Sequence, residues 1–435
     1  MSDLAIGGAG LGILIFLIGL RVPIAIALIS VSFGGLWYLL GWRVAWGSLG
    51  IIPYQFAAKW ELSSVPMFLL LGFICYQAEL TKGLFQAARI LLGRLPGGLG
   101  LAAILGSAGF AAVSGSSIAC SATMGRIAVP EMIKTRYDAG FATGIVSVAG
   151  TIGALIPPSI IMILFGIIAQ ESVEKLFLGG ITAGLLTTIS YMVLVVIRVK
   201  VNPNLAPPAA VQATREETWA AIKDTGPLVV VIIGIFTGLF SGIFTPTEAG
   251  AVGAALAVLV AWGKGTLTWK RVQMAAYETL MATSMLLIIA IGASLLTRFL
   301  ALSGVSDAIS DVLIDSELPG IVLLLGLILL YLVLGMFLDP IGAMLLTLPI
   351  VLPVVDAYGV SMILFGVILT KLLEIGMITP PVGMNVFVIK SVVGDLVTVQ
   401  RIFASVIRFI VVDLIVLAIL IAFPDLVLFL PNLKN

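Results

Sequence analysis

Phe141 to Gln170 reads FATGIVSVAGTIGALIPPSIIMILFGIIAQ, and Phe365 to Gly394 reads FGVILTKLLEIGMITPPVGMNVFVIKSVVG. Set in register, Gly153 meets Gly376 and Pro157-Pro158 meets Pro380-Pro381, so each apolar helix is broken by a glycine, three residues and two prolines. A proline inside a helix removes an amide donor and clashes with the carbonyl four residues earlier. Carbonyls are therefore expected to be freed at Gly153 and Ala154, and near Gly376 and Met377. A second interruption precedes each break at nearly the same distance. Ser114-Gly115-Ser116-Ser117 lies 36 to 39 residues before Gly153, and Asp339-Pro340 lies 36 to 37 before Gly376. Each half of the chain thus holds a hairpin followed by a broken helix.

The rest of the chain says which solvent surrounds these breaks. Of 435 residues 60% are hydrophobic and 10% charged, with a mean hydropathy of +1.22, too apolar for a water-covered surface. Apolar stretches of 18 residues or more recur, as a hydrocarbon layer about 30 Å thick requires of helices. They are continuous runs, not the alternating strands of a barrel, so the fold class is all-α and polytopic. Helices are expected near 5–41, 64–80, 97–114, 117–133, 138–156, 158–170, 176–198, 226–243, 246–263, 272–302, 319–338, 341–355, 360–377, 381–392 and 402–423. The first stretch has neither a basic leader nor a small-residue cleavage site, and reads as a retained span.

Composition also excludes function classes. A net charge of +1 offers no basic face for nucleic acid. Histidine is absent, which removes imidazole relays, most zinc and haem chemistry and the Ser-His or Cys-His pairs. Cys75 and Cys120, set in apolar or small-residue sequence, read as packing residues rather than a disulfide. No enzyme constellation is visible, and no cofactor is implied.

The polar interruption 198–224 falls near mid-chain and carries Arg198, Lys200, Arg215 and Lys223, with Pro203, Pro207 and Pro208. Lys264, Lys270 and Arg271 follow two spans later, so both loops are expected on the cytoplasmic side. The first hairpin is flanked by Lys82, Arg89, Arg94, Lys134 and Arg136, the second by Asp307, Asp311, Asp315, Glu317 and Asp356. If both are re-entrant, they enter from opposite faces, which is an inverted-topology repeat. The alternative is that each leg is a full span. Against it, eleven of the 24 positions from Gly98 to Ser121 are Gly or Ala, which suits a closely packed, buried hairpin.

Irregular backbone at membrane depth is tolerable only where it faces protein or a wet cavity, and freed carbonyls suit a hard cation such as sodium. Two cation sites are expected. One joins Ser114, Ser116 and Ser117 to Gly153, Ile156 and Pro157; the other joins Asp339 and Gly342 to Gly376, Thr379 and Pro381. Ser159 and Asn385, on the half-helices after the breaks, face the gap in this reading. With Ser116, Ser117, Pro158, Thr379, Pro380 and Gly383 they form the candidate site for an anion met by positive helix ends. Lys371 and Glu374, three apart on one helix face, are expected to pair, while Arg298 and Asp413 are placed near interfaces. Trp37, Tyr38, Trp42, Trp46, Tyr54 and Trp60 read as an interfacial belt or amphipathic helix, or equally as a partner-docking face.

SGSSIACSATMG at Ser114 to Gly125, GTIGALIPPS at Gly150 to Ser159 and EIGMITPPVGMN at Glu374 to Asn385 resemble the large membrane subunit of TRAP (tripartite ATP-independent periplasmic) transporters, in the ion-transporter superfamily. The resemblance covers essentially the whole chain. It implies an elevator carrier with a fixed scaffold and a moving transport domain, and puts Ser116, Ser117, Gly153, Pro157, Asp339, Gly376, Thr379 and Pro381 at sodium and substrate sites. On this reading 1–95 are scaffold helices and an arm, 96–175 the first transport repeat, 176–318 scaffold helices, 319–395 the second repeat and 396–435 a C-terminal helix. The implied function is sodium-coupled uptake of a small organic anion across the bacterial cytoplasmic (inner) membrane. The implied partners are a small four-helix membrane subunit, expected as a separate polypeptide, and a periplasmic substrate-binding protein, with membrane lipid around. Proton coupling, a carrier independent of a binding protein, a channel and an intramembrane enzyme are the alternatives.

Overall fold

A computed structural model describes residues 2–207, 214–315 and 319–433. Pro208 and Glu317, and the side chain of Asp315, fall outside what is described. The described residues are helical nearly throughout. The N-terminal run is not one helix from 5 to 41 but two, α1 (Asp3–Gly19) and α2 (Ile24–Leu40). Arg21 takes a left-handed conformation (φ 64°) and Pro23 caps α2, so the chain turns between them. Next come α3 (Trp42–Ala57), α4 (Ser64–Gln77) and α5 (Lys82–Leu92). Trp42 and Trp46 on α3 pack edge to face on Phe33 of α2 at 5.5 Å and Trp37 packs on Trp42 at 4.9 Å, yet these three tryptophans stay exposed, as do Tyr38, Tyr54 and Trp60.

The first repeat follows as α6 (Gly98–Ser114), α7 (Ser117–Lys134), α8 (Ala139–Gly150), a 3-10 turn (Thr151–Ala154), α9 (Ile160–Ala169) and α10 (Val173–Val201). A middle section holds α11 (Arg215–Phe240), α12 (Pro246–Gly263), α13 (Trp269–Leu302) and α14 (Val305–Asp315). The second repeat is α15 (Gly320–Phe337), α16 (Pro340–Ala357), α17 (Met362–Gly376), α18 (Met384–Val393) and α19 (Val399–Ala422), and α20 (Asp425–Asn432) closes the chain. Four of these helices, α3, α5, α14 and α20, have no counterpart among the expected spans. Helix 138–156 ends instead at Gly150 and passes into the 3-10 turn.

The two repeats are related by reciprocal packing. α18 lies on α7, and its counterpart α9 lies on α16; α8 packs on α19 as α17 packs on α10; α8 touches α18 as α17 touches α9. Contacts of the form A with B′ and A′ with B are what a two-fold axis produces. α10 and α19, one from each repeat, meet each other, and α10 also lies against α6 and α20. The remaining long helices form a second group in which α4 packs on α12 and α13, and α2 on α13. Among the described residues seven helices are long and apolar enough to cross a membrane, the legs α15 and α16 among them; α6 has 17 residues.

Candidate functional site: two hairpin tips at one cavity

Each tip is built by a cap. α6 stops at Ser114 because Gly115 turns the chain at φ 61°, where a Cβ would also stand 2.5 Å from the Pro158 carbonyl oxygen. Ser116 then caps α7, its Oγ accepting from the Ala119 amide at 3.4 Å. In the second repeat Asp339 caps α16, accepting from the Gly342 amide at 2.8 Å. Ser116 stands 37 residues before Gly153 and Asp339 stands 37 before Gly376, so the caps are equivalent positions.

Each tip presses on its break. The Ile160 amide donates to the Gly115 carbonyl at 3.4 Å, and a Cβ on Gly153 would lie 2.9 Å from the Ser116 carbonyl oxygen. Across the second break a Cβ on Gly376 would lie 2.5 Å from the Gly335 Cα, so α15 and α17 cross with backbone in contact. Pro157-Pro158 and Pro380-Pro381 are both cis.

The breaks differ in how much backbone they leave open. At the first, the Leu155 and Ile156 amides both turn back to the Ile152 carbonyl. Among the described residues no backbone amide reaches the Gly153 or Ala154 carbonyl. At the second, the expected freed carbonyls are taken up again: Thr379 donates its amide to Gly376 at 3.1 Å, and Asn385 donates its amide to Met377 at 3.0 Å. The first break is also the more enclosed, with Pro157 and Pro158 buried and Ile156 against Gly184 of α10, whereas Pro381 is exposed and Pro380 half-buried.

A cavity of about 720 Å³ brings the two tips together. Ser114 and Ser116 line it from one hairpin, Leu338 and Asp339 from the other, and Tyr76 of α4 and Glu278 of α13 from the second group of helices. The other expected residues form the wall behind the tips. Ser117 donates its hydroxyl to Glu374 at 3.0 Å, Ser159 caps α9 through the Met162 amide, and Thr379 donates to the Ile375 carbonyl. Gly383 takes φ 55° at the start of α18. Asn385 is fully buried with both side-chain polar atoms unbonded, as is Ser114 Oγ. Such orphans in an apolar interior cost on the order of 1–3 kcal/mol each, so they mark where polar contents belong. Among the described residues no three His, Cys, Asp or Glu side chains gather, so a cation held here would rest on Ser hydroxyls, Asp339 and the open carbonyls.

Two charge assignments change. Lys371 does not pair with Glu374. It reaches Asp413 at 2.5 Å and Thr187 at 3.1 Å, and Asp413 is 1% exposed rather than interfacial. Tyr191 donates to Asp413 at 2.7 Å and stands 3.1 Å from the Thr151 hydroxyl, just ahead of the first break. The network thus ties α17 to α10, α19 and the 3-10 turn. Helical spacing alone could not show it, because a buried lysine takes whichever carboxylate the fold brings up. Tyr76, Thr123 and Glu278 were also missed, since nothing in their local sequence marks them.

The profile of the family described as "Tripartite ATP-independent periplasmic transporter, DctM component" matches residues 11–426. A C4-dicarboxylate TRAP transporter large permease protein of Pseudomonas aeruginosa is 33% identical over 80% of this chain and 81% of its own length. The sialic acid TRAP transporter large permease protein of Vibrio cholerae is 30% identical over 93% and 95%. This chain spans only 60% of the Haemophilus influenzae sialic acid TRAP transporter permease protein, at 30% identity over 86% of its own residues. The crystal structure of the YdaH transporter of Alcanivorax borkumensis shares the fold, with a TM-score of 0.58, 16% identity and coverage of 88% of this chain and 90% of that one. With two pseudo-equivalent hairpins, two broken helices and a match over almost its entire length, the chain belongs to the DctM component family of tripartite ATP-independent periplasmic transporters, multi-pass proteins of the inner membrane and not enzymes.

Proposed function

We propose that this chain carries a small organic anion across the inner membrane by sodium-coupled secondary transport. The carrying observation is that Ser116 and Asp339, equivalent caps of the two repeats, line one cavity, with the first break against Ser116 and the second against Gly335 of the other hairpin. Sodium is read at Ser114, Ser116 and the open Gly153 carbonyl in one half, and at Asp339, Gly376 and Thr379 in the other. Hydroxyl, carboxylate and carbonyl oxygens are the donors a hard cation prefers, and among the described residues Ser114 Oγ has no hydrogen-bond partner and the Gly153 carbonyl no backbone donor. The anion is read between the tips, where the positive ends of α7, α9, α16 and α18 converge.

The relatives carry names for C4-dicarboxylates, sialic acid and isethionate, which share a carboxylate or sulfonate, and that shared group defines the proposed substrate class. The proposed partners are a periplasmic binding protein and a small membrane subunit. The proposed moving body is α6–α10 with α15–α20, because the reciprocal contacts run through α10 and α19. The proposed fixed body is the group around α2, α4, α12 and α13. Motion of the first against the second is the elevator step.

The test is uptake into proteoliposomes holding the chain with its small subunit and binding protein, offered succinate, N-acetylneuraminate and isethionate in turn. Uptake should saturate and vanish without an inward sodium gradient, and Ser116→Ala and Asp339→Asn should each raise the sodium requirement about fivefold or more. Saturable uptake indifferent to sodium in all three would sink the coupling; flux that does not saturate would favour a channel.

A further inference from the structure

The central cavity adjoins a second, polar one of about 250 Å³, and Tyr76 and Thr123 line both. The second is lined further by Glu79, Lys82, Arg271 and Arg126. Lys82 and Arg271 are both engaged with Glu79, and Lys264 bonds Asp224 nearby, so this mouth opens on the side that the basic loops assign to the cytoplasm. Arg126 is different. It lies on α7 one turn beyond Ala122, its Nη1 donates to the Tyr76 hydroxyl at 2.6 Å, and among the described residues it has no carboxylate partner. The bond spans two bodies, since α7 belongs to the first repeat and α4 packs with α12 and α13.

We propose that Arg126 and Tyr76 form an anion-selective gate between the central cavity and the cytoplasm. Glu278 and Asp339 give the central cavity two carboxylates, whose charge bound sodium offsets while the anion sits between the tips and which press the anion outward once sodium leaves. An anion leaving that cavity meets a guanidinium with an unused fork of donors, the side chain best shaped for a carboxylate or sulfonate. Tyr76 holds it across the opening until an anion takes its place. Lys82 and Arg271 then continue the positive path outward, with Glu79 as its one acidic member. Arg126 is in this view a specificity-determining residue for the exit step, beyond the site at the tips.

The inference rests on the anion-carrier reading but is tested without transport. Ala122, half-buried on the inner side of the gate, is replaced by cysteine in the full chain, and Ile127→Cys reports the outer side. Cys75 and Cys120 are fully buried, so the unsubstituted chain supplies the background. Inside-out vesicles are treated with a sulfonatoethyl or a trimethylammonioethyl methanethiosulfonate, and the two labelling rates are divided after correction for reaction with a free thiol. The sulfonate should be favoured at Ala122→Cys, and Arg126→Gln should lower the ratio about tenfold, in keeping with the effect of local charge on encounter rates. Arg126→Lys should keep most of it. Tyr76→Phe should speed both reagents and leave the ratio in place. A ratio unchanged within twofold in Arg126→Gln overturns the selectivity, unchanged rates in Tyr76→Phe overturn the latch, and an unlabelled Ala122→Cys beside a labelled Ile127→Cys overturns the path. Because labelling needs neither sodium nor a binding protein, it can fail while sodium-driven uptake succeeds, and the reverse.

Discussion

Lys371 and Asp413 are each about 1% exposed, and their pairing shows how single residues hold this fold. Removing one member of a buried ion pair leaves an uncompensated charge and costs about 3–5 kcal/mol, whereas replacing both with apolar groups is often close to neutral. Asp413→Leu should therefore lower the apparent melting temperature of the purified chain markedly, and Lys371→Met with Asp413→Leu should recover most of it. If the double variant is no better than the single one, Tyr191 and Thr187 matter more to the network than the pair. The same residues bound what the sequence discloses. The caps Ser116 and Asp339 were legible because a helix start is a local event, written in a few adjacent residues. Lys371 was misassigned to Glu374 because a partner 42 residues away in sequence leaves no local mark. Glu278 and Tyr76 were invisible for the same reason.

At the scale of elements, the crossing of α15 and α17 depends on two glycines with backbone against backbone. Gly376→Ala would put its Cβ 2.5 Å from the Gly335 Cα, a clash with main chain that no rotamer relieves. It should displace the second hairpin from its break and abolish sodium-dependent thermal stabilisation, while Gly8→Ala on α1, which meets open space, should leave that stabilisation as it was. Sodium against potassium in a thermal-shift assay compares the two. The breaks themselves were readable because two adjacent prolines act together through covalent geometry, whereas single prolines such as Pro130 and Pro227 stay inside unbroken helices. Their asymmetry was not. Whether a freed carbonyl stays open depends on which amide comes near, and only folding shows Thr379 and Asn385 closing the second break. The short helices α5 and α14 escaped notice for a different reason. Each has 11 residues, too few for a span, and each stands directly before one of the two hairpins.

For the whole molecule, the cytoplasmic mouth sets a pH expectation. The Glu79 carboxyl, hydrogen-bonded by Lys82 and close to Arg271, is held below its ordinary value of about 4.5. A lowered carboxyl contributes its stabilisation above that ordinary value and loses it as pH falls through the shifted one. The labelling ratio at Ile127→Cys should accordingly be flat from pH 6 to 8 and change only in acid, below the ordinary carboxyl value; a change near neutrality would point to another group. The reciprocal packing of the repeats has a different consequence, for biosynthesis. α7 and α9 are made early, but part of the surface each rests on, α18 and α16, is made only in the C-terminal half. Neither half can complete its own interior, so the N-terminal half must wait in the bilayer, half-assembled and open to quality-control proteases, until translation ends. Chains cut between Pro207 and Thr214 should be degraded when either piece is expressed alone and accumulate when both are made together. Accumulation of the N-terminal piece by itself, in a protease-resistant form, would show that the two-fold relation describes the finished shape and not the order of its assembly.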